Sequence, residues 1–306
     1  MKVLVTGSTG FVGQYMMDFL IHNNIEFLGS ARNSMDNANI VNMNILNTDD
    51  VDKVVKDYKP THVIHLAGQS NVKLAWGNPQ ATILNNTIGT LNILNAIKEH
   101  SPYSKLISIG SSEEYGSSSE VLEFIDERHV TNPKNPYGVS KLSACQLVLQ
   151  YVAAYQIQAI HVRPFNHIGP RQSEGFVTQD FAKQIVDIEK GKMDLAIKVG
   201  NLDSVRDFTD VKDIVNAYYM LMQDGCVGEI YNVCSSRGVS IQELLFEFVA
   251  LSKSHIEVKV DPSKFRPIEH KFIVGSNEKI SRDTQWHPKM DLKESLLNIL
   301  NYYRNM

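Results

Sequence analysis

The chain is expected to fold as an α/β protein, with a doubly wound parallel sheet and a smaller C-terminal region. Three observations predict this. Short apolar runs alternate with helix-period stretches through the first half of its 306 residues. A turn of three glycines follows the first run and opens a helix. The alternation then stops after Arg163, where Gly, Pro and polar residues take over. Strands separated by crossover helices make a parallel sheet with right-handed connections.

Apolar runs place strands at 2–6, 27–30, 62–66, 105–110 and 159–163, with a further strand segment at 42–45. Helical patterns fall at 13–23, 49–58, 79–100 and 137–154. The last two hold Leu84, Ile88, Leu91 and Leu94, and Val139, Leu142, Leu147 and Val148. Both carry more apolar residues than one buried stripe needs, so either a partner subunit or the monomer's own core covers the excess. Residues 166–177 read as a long loop, and later segments are less regular, with Pro262 and Pro267 among them. A C-terminal region of this kind would cover the carboxyl ends of the strands, where open α/β sheets bind ligands.

Composition narrows the function. Apolar content of 43% and charged content of 21% are ordinary for a globular protein. A net charge of -4 argues against bulk binding to nucleic acid or to an anionic membrane. Cys145, Cys226 and Cys234 show neither metal-ligand spacing nor an even disulfide framework. A reduced, cytoplasmic protein with no metal is the expectation. No apolar run approaches the roughly 18 residues of a transmembrane helix, and Met1-Lys2 leads into a strand rather than a signal peptide.

The first strand runs into Gly7-Ser8-Thr9-Gly10-Phe11-Val12-Gly13. Glycines let backbone approach a pyrophosphate, which then sits on the helix N-terminus. Three glycines alone are a weak signal, but strand, turn and helix in this order make it specific. Gly7, Thr9, Gly10, Phe11, Val12 and Gly13 are therefore expected to bind a dinucleotide. The second strand ends Ser30-Ala31-Arg32-Asn33, with no acid to hold the ribose 2′-hydroxyl of NAD. Arg32 suits the 2′-phosphate of NADP instead. NADPH is the expected cofactor, with NAD as the alternative.

Tyr137 and Lys141 stand four apart, on one face of a helix. In a chain with 12 tyrosines such a pair is common by chance. Position lifts it: the pair opens the helix after a strand ending Gly110-Ser111-Ser112-Glu113-Glu114-Tyr115-Gly116. Ser111 can hydrogen-bond a substrate carbonyl that Tyr137 also contacts. An adjacent ammonium is expected to lower the phenol's pKa and to hold the nicotinamide ribose. Glu113 divides the hypotheses. Carbonyl reduction needs one proton donor, whereas removing water across two sugar carbons needs a further acid/base.

With these residues placed, the chain resembles the extended short-chain dehydrogenase/reductases acting on nucleotide sugars. The resemblance covers essentially its full length. It includes His65-Leu66-Ala67-Gly68-Gln69-Ser70, Asn86-Thr87-Ile88-Gly89-Thr90 and Arg163-Pro164-Phe165-Asn166-His167-Ile168-Gly169-Pro170. Residues 110–116, 175–184, 199–202, 206–211 and 265–269 are most similar to the bacterial GDP-4-dehydro-6-deoxy-D-mannose reductases. The resemblance implies a Rossmann domain over 1–165 with a returning segment near 210–236, and a nucleotide-sugar domain from 166–209 and 237–306. It implies that Leu66, Ala67 and Gly68 line the cofactor and that Asn44 and Ile45 lie near its adenine. Many relatives carry Asp where Asn44 stands. Ser112, Asn166, Val177, Lys183, Gly200 and Asn201 would contact the substrate. Arg206 and Arg266 would bind phosphate or nucleotide, with Glu269 on the ribose or base.

The expected activity is NADPH-dependent reduction of the C4 keto group of a GDP-4-keto-6-deoxy-hexose. Tyr137 would be the acid, Ser111 would polarise the carbonyl and Lys141 would hold the ribose. The product would be a GDP-6-deoxyhexose such as GDP-D-rhamnose, destined for polysaccharide. A homodimer through 79–100 and 137–154 is expected. The rivals are a GDP-mannose 4,6-dehydratase or an epimerase, in which Glu113 would be essential, and a non-catalytic dinucleotide-binding protein. The glycine turn and the loop after Asn166 differ from those of the dehydratases and favour the reductase.

Overall fold

The computed structural model describes residues 1–33, 37–116, 124–262 and 271–306. The first half runs β1 (Lys2–Thr6), α1 (Phe11–His22), β2 (Glu26–Ala31), β3 (Ile40–Asn42), α2 (Thr48–Tyr58) and β4 (His62–His65). It continues through α3 (Val72–Gly77), α4 (Pro79–Ile83), a π turn (Leu84–Ile88), α5 (Gly89–His100), β5 (Lys105–Ile109), a 3₁₀ turn (Ser112–Glu114), α6 (Pro136–Tyr155) and β6 (Ala159–Pro164). The second half adds β7 (Asn166–Ile168), α7 (Val177–Glu189), β8 (Ala196–Val199), β9 (Val205–Asp210), α8 (Val211–Asp224) and β10 (Ile230–Val233). It ends with β11 (Gly238–Ser240), α9 (Ile241–Ala250), β12 (Glu257–Val260), β13 (Phe272–Ile273), α10 (Glu278–Thr284) and α11 (Leu292–Arg304).

Seven strands form one sheet in the order β10-β6-β5-β4-β1-β2-β3, and every neighbour pair is parallel. The order reverses between β1 and β4, which opens a crevice at their carboxyl ends. Alternation along β1 fixes which side each residue faces. Val3 and Val5 pack with Met16 and Leu20 of α1 and Ile214 and Leu221 of α8. Leu4 packs on the other side with Val51 of α2, Ile93 of α5 and Val148 of α6. Burying such side chains contributes about 1.5–3 kcal/mol each. A one-residue slip would exchange the two faces of every strand, so the register is strongly specified.

A second core lies under β9, which pairs with β7, β11 and β13. It joins Phe181 and Ile185 of α7, Phe208 of β9, Leu244 and Phe248 of α9, and Leu296 and Ile299 of α11. Asp207 of β9 links this core to the main sheet. Its buried carboxylate accepts from Ser235 N–H at 2.7 Å, Ser235 Oγ at 2.6 Å, Ser236 N–H at 3.0 Å and Gly275 N–H at 3.3 Å.

Four expectations change. The stretch from 166 to 177 is not all loop. Asn166, His167 and Ile168 pair with Phe208, Thr209 and Asp210 of β9, a long-range pairing that local polarity hides. The third strand ends at Asn42, so Asn44 and Ile45 follow it. The helix foreseen at 79–100 is interrupted by the π turn. There the side chains of Asn86 and Thr87 bond to Ser140 of α6, at 2.9 Å to its Oγ and 3.1 Å to its carbonyl. The short helix α3, capped by Asn71, has too few residues to show a period.

Candidate active site

The crevice gathers the ends of β1, β2, β4 and β5. Gly7 leaves β1 with φ of +68°, a conformation glycine adopts without strain. A Cβ there would lie 2.8 Å from Ala67 Cα and from Ala67 N, so the β1 turn touches the β4 loop. At Gly13 a Cβ would meet the Gly7 carbonyl oxygen at 2.2 Å. Only a bare backbone lets α1 pack that close to its own turn. No side chain caps α1, whereas Asn47, Asn71, Asn78 and Asn135 cap α2, α3, α4 and α6. The first-turn amides of Phe11, Val12 and Gly13 therefore face the crevice without a side-chain acceptor, the arrangement that suits a bound phosphate. Phe11's ring stacks on His167, with centroids 5.9 Å apart. Thr9 is exposed at the turn, and Arg32 is exposed just past β2.

Leu66 and Ala67 are half-buried and Gly68 is exposed beyond β4. Asn44 is exposed, and its side-chain oxygen accepts from Leu46 N–H at 3.1 Å. Ile45 belongs to the core instead. Its side chain packs against Gly89 and its carbonyl accepts from Asn92 at 2.8 Å, so its side chain is not at the crevice.

Ser111, Tyr137 and Lys141 come together where β5 ends. Asn135 caps α6 by accepting from Gly138 N–H at 2.8 Å, and Pro136 follows at the first helical position. Lys141 Nζ donates to the Ile109 carbonyl at 2.7 Å and would lie 3.8 Å from a Cβ on Gly68. The ammonium thus bridges the β5 end and the β4 loop. Burial lowers its pKa to about 8, with the Glu114 carboxylate opposing.

The expected lowering of the Tyr137 pKa is reversed. Burial pushes the phenol well above its ordinary value, a hydrogen bond with Ser111 pulls it down, and the charges of Glu113 and Glu114 push it up further. Lys141 Nζ stands 5.9 Å from the ring centroid and is engaged elsewhere. Tyr137 is thus held as a phenol, a proton donor. Glu113 is half-buried beside it, and its Oε2 accepts from Asn135 Nδ2 at 2.7 Å. Ser112 is buried next to both.

The other expected contacts line the second half. Asn166 is exposed on β7 and Val177 half-buried at the start of α7. Lys183 pairs with Glu174 at 2.8 Å. Gly200 and Asn201 are half-buried between β8 and β9. Arg206 on β9 donates to the Val205 carbonyl at 2.8 Å. Arg266 and Glu269 lie outside the described residues.

Two residues near the site had been given no role. Asn86 is buried, accepts from Gln69 N–H at 2.8 Å and donates to the Gln69 carbonyl at 3.0 Å, tying the β4 loop to α6 through Ser140. Its signal was the stretch from Asn86 to Thr90. The other is Glu114, buried beneath Ser111.

A family model described as GDP-mannose 4,6 dehydratase matches residues 4–299. Among characterised proteins, a GDP-6-deoxy-D-mannose reductase from Pseudomonas aeruginosa is 34% identical over 98% of this chain and 96% of its own length. A GDP-mannose 4,6 dehydratase from Cricetulus griseus is 28% identical over 95% of this chain and 88% of its own length. Among solved structures, RMD from Pseudomonas aeruginosa complexed with NADPH superposes with a TM-score of 0.89 at 33% identity, covering 99% of each chain. The UDP-glucose 4-epimerase of Thermus thermophilus complexed with NAD gives a TM-score of 0.88 at 26% identity, also over 99% of each chain. With this coverage, and with the extended short-chain dehydrogenase/reductase fold around its Tyr137–Lys141 helix, the chain belongs to the GDP-mannose 4,6-dehydratase family.

Proposed function

We propose that this protein is an NADPH-dependent reductase of the C4 keto group of a GDP-4-keto-6-deoxy-hexose (GDP-4-dehydro-6-deoxy-D-mannose). The product would be a GDP-6-deoxyhexose such as GDP-D-rhamnose. One observation carries the reading. Ser111, a protonated Tyr137 and Lys141 meet beside the glycine turn, in a chain matched nearly end to end by a GDP-6-deoxy-D-mannose reductase.

The residues fit a phosphorylated dinucleotide. The uncapped start of α1 and the bare backbone at Gly7, Gly10 and Gly13 suit a pyrophosphate. Arg32 offers forked donors to a 2′-phosphate, and Leu66, Ala67, Gly68 and Asn44 complete that wall. When bound, NADPH supplies the hydride that C4 accepts. Tyr137 gives its proton to the oxygen that becomes the C4 hydroxyl, the role of a general acid. Ser111 donates to the same oxygen and polarises it. Lys141 holds the nicotinamide ribose by its ammonium. Asn166, Val177, Lys183, Gly200, Asn201 and Arg206 hold the GDP moiety, together with Arg266 and Glu269.

The same reading divides the chain into a Rossmann domain, 1–165 with 210–236, and a nucleotide-sugar domain, 166–209 with 237–306. It includes a homodimer: Ile83, Leu84 and Ile88 are exposed on one helical stretch and Val139 on the other, an apolar surface that a second copy would cover. Among the described residues no helix is long and apolar enough to cross a membrane. All three cysteines are free, in keeping with the cytoplasm.

Glu113 favours a second reading, GDP-mannose 4,6-dehydration. Its carboxylate is oriented by Asn135 and stands beside Tyr137. Glu113→Gln separates the two. A reductase keeps its NADPH oxidation within about tenfold of wild type, whereas a dehydratase loses about 10²–10⁴ of its rate with the missing acid/base.

A further inference from the structure

We propose that Glu114, backed by His161 and Arg163, is a positioning residue that fixes the Ser111 hydroxyl against Tyr137. This rests on the reductase reading above. Glu114 and His161 are 0% exposed and Arg163 is 3% exposed. Glu114 Oε1 accepts from Ser111 N–H at 3.0 Å and bonds His161 Nε2 at 2.9 Å. Its Oε2 accepts from Arg163 Nε at 2.7 Å. Its two oxygens therefore hold the backbone of the active-site serine to two alternate residues of β6.

The cluster also reaches the catalytic helix. Arg163 Nη2 lies 4.0 Å from Cys145 Sγ, and Cys145 follows Tyr137 and Lys141 at four-residue steps, on one helical face. Gly110 leaves the room: a Cβ there would stand 2.1 Å from Glu114 Oε1 and 2.2 Å from His161 Nε2. The ligand atoms of Glu114, Cys145 and His161 lie within 4.8 Å of one another, but the Arg163 guanidinium already bonds both Glu114 and Cys145. A cation of the protein's own fills that gap.

A buried ionic cluster is a poor means of stabilising a core, since well-packed apolar residues serve as well or better. What it supplies is direction. Ser111 is extended, with φ of -166° and ψ of 152°. Its N–H is spoken for by Glu114, and its hydroxyl accepts from Glu113 N–H at 3.2 Å. With backbone and turn both fixed, that hydroxyl is held beside Tyr137, near enough to lower the phenol's pKa. Loss of the Glu114 charge frees the serine without removing any group that touches substrate.

The test is a double-mutant cycle on NADPH oxidation with GDP-4-keto-6-deoxymannose. Glu114→Gln should lower kcat by about 10²-fold, the effect of misplacing a reacting group by about 1 Å. The KM for the sugar and the Kd for NADPH should be unchanged. In a Ser111→Ala background the same change, measured near pH 6 where Lys141 and Tyr137 keep their protons with or without the Glu114 charge, should alter kcat by less than about twofold. His161→Gln, which keeps the Glu114–Arg163 pair, should give a smaller loss that also vanishes in Ser111→Ala; it decides the matter if Glu114→Gln does not fold. Equal losses in both backgrounds, or no loss of kcat, overturn the role of Glu114 while leaving the reductase intact. A wild-type protein that oxidises no NADPH with this substrate overturns both.

Discussion

In the reductase we propose, Tyr137 works as an acid because of where it is buried. An exposed phenol beside an ammonium would tend toward phenolate, but here burial and two carboxylates hold the proton on. Tyr137→Phe should therefore cut kcat by about 10²–10⁴ while leaving the KM for the sugar within a few-fold, as steady-state kinetics would report. Lys141 should set the alkaline limit of such a reductase. Its folded pKa of about 8 is below the ordinary lysine value because of burial, so the ammonium is lost as pH rises through about 8. Facing groups are the carboxylate of Glu114, the phenol of Tyr137, and His65, which burial pushes down to about 3 and so leaves neutral. A plot of log kcat/KM, which reports the free enzyme, should bend downward near pH 8, and Lys141→Arg should remove the bend. Ser111, Tyr137 and Lys141 were legible in the sequence because spacing on a helix and position after a strand are local facts. The direction of the Tyr137 shift was not, because the burial that dominates it depends on long-range packing.

At the scale of elements, the glycine turn and the helical patterns at 13–23 and 137–154 carry strong local signals, and the structure has α1 and α6 within two residues of those bounds. What failed was what tertiary partners decide. β7 exists because β9 lies beside it, and the π turn coincides with the bonds Asn86 makes to Gln69 and Ser140. Ile45, expected near the adenine, stands three residues past β3 with its side chain packed against Gly89. The turn itself gives a test. Gly13→Ala puts a methyl 2.2 Å from the Gly7 carbonyl oxygen, an overlap relieved only by moving α1, at a cost of about 1–3 kcal/mol. Fluorescence titration should show the Kd for NADPH raised about tenfold or more, with sugar binding much less affected.

For the whole molecule, the parallel sheet and its order reversal set the crevice, and His167 stacked on Phe11 brings β7 against the glycine turn. The sheet was readable because it repeats one local unit; the second half was less so, because its short strands pair across long stretches of chain. The exposed Ile83, Leu84, Ile88 and Val139 give the dimer we propose its test. Sedimentation should find wild type near twice the mass of a Val139→Glu/Ile88→Glu variant, which should stay folded as a monomer; equal masses would remove the dimer.

The central claim is that reduction ends the reaction. The most direct measurement mixes the protein with freshly made GDP-4-keto-6-deoxymannose and NADPH, counts NADPH oxidised, and identifies the sugar by NMR. A reductase should consume one NADPH for each GDP-6-deoxyhexose formed. Recovery of the 4-keto sugar unreduced, with no NADPH consumed, would contradict the claim.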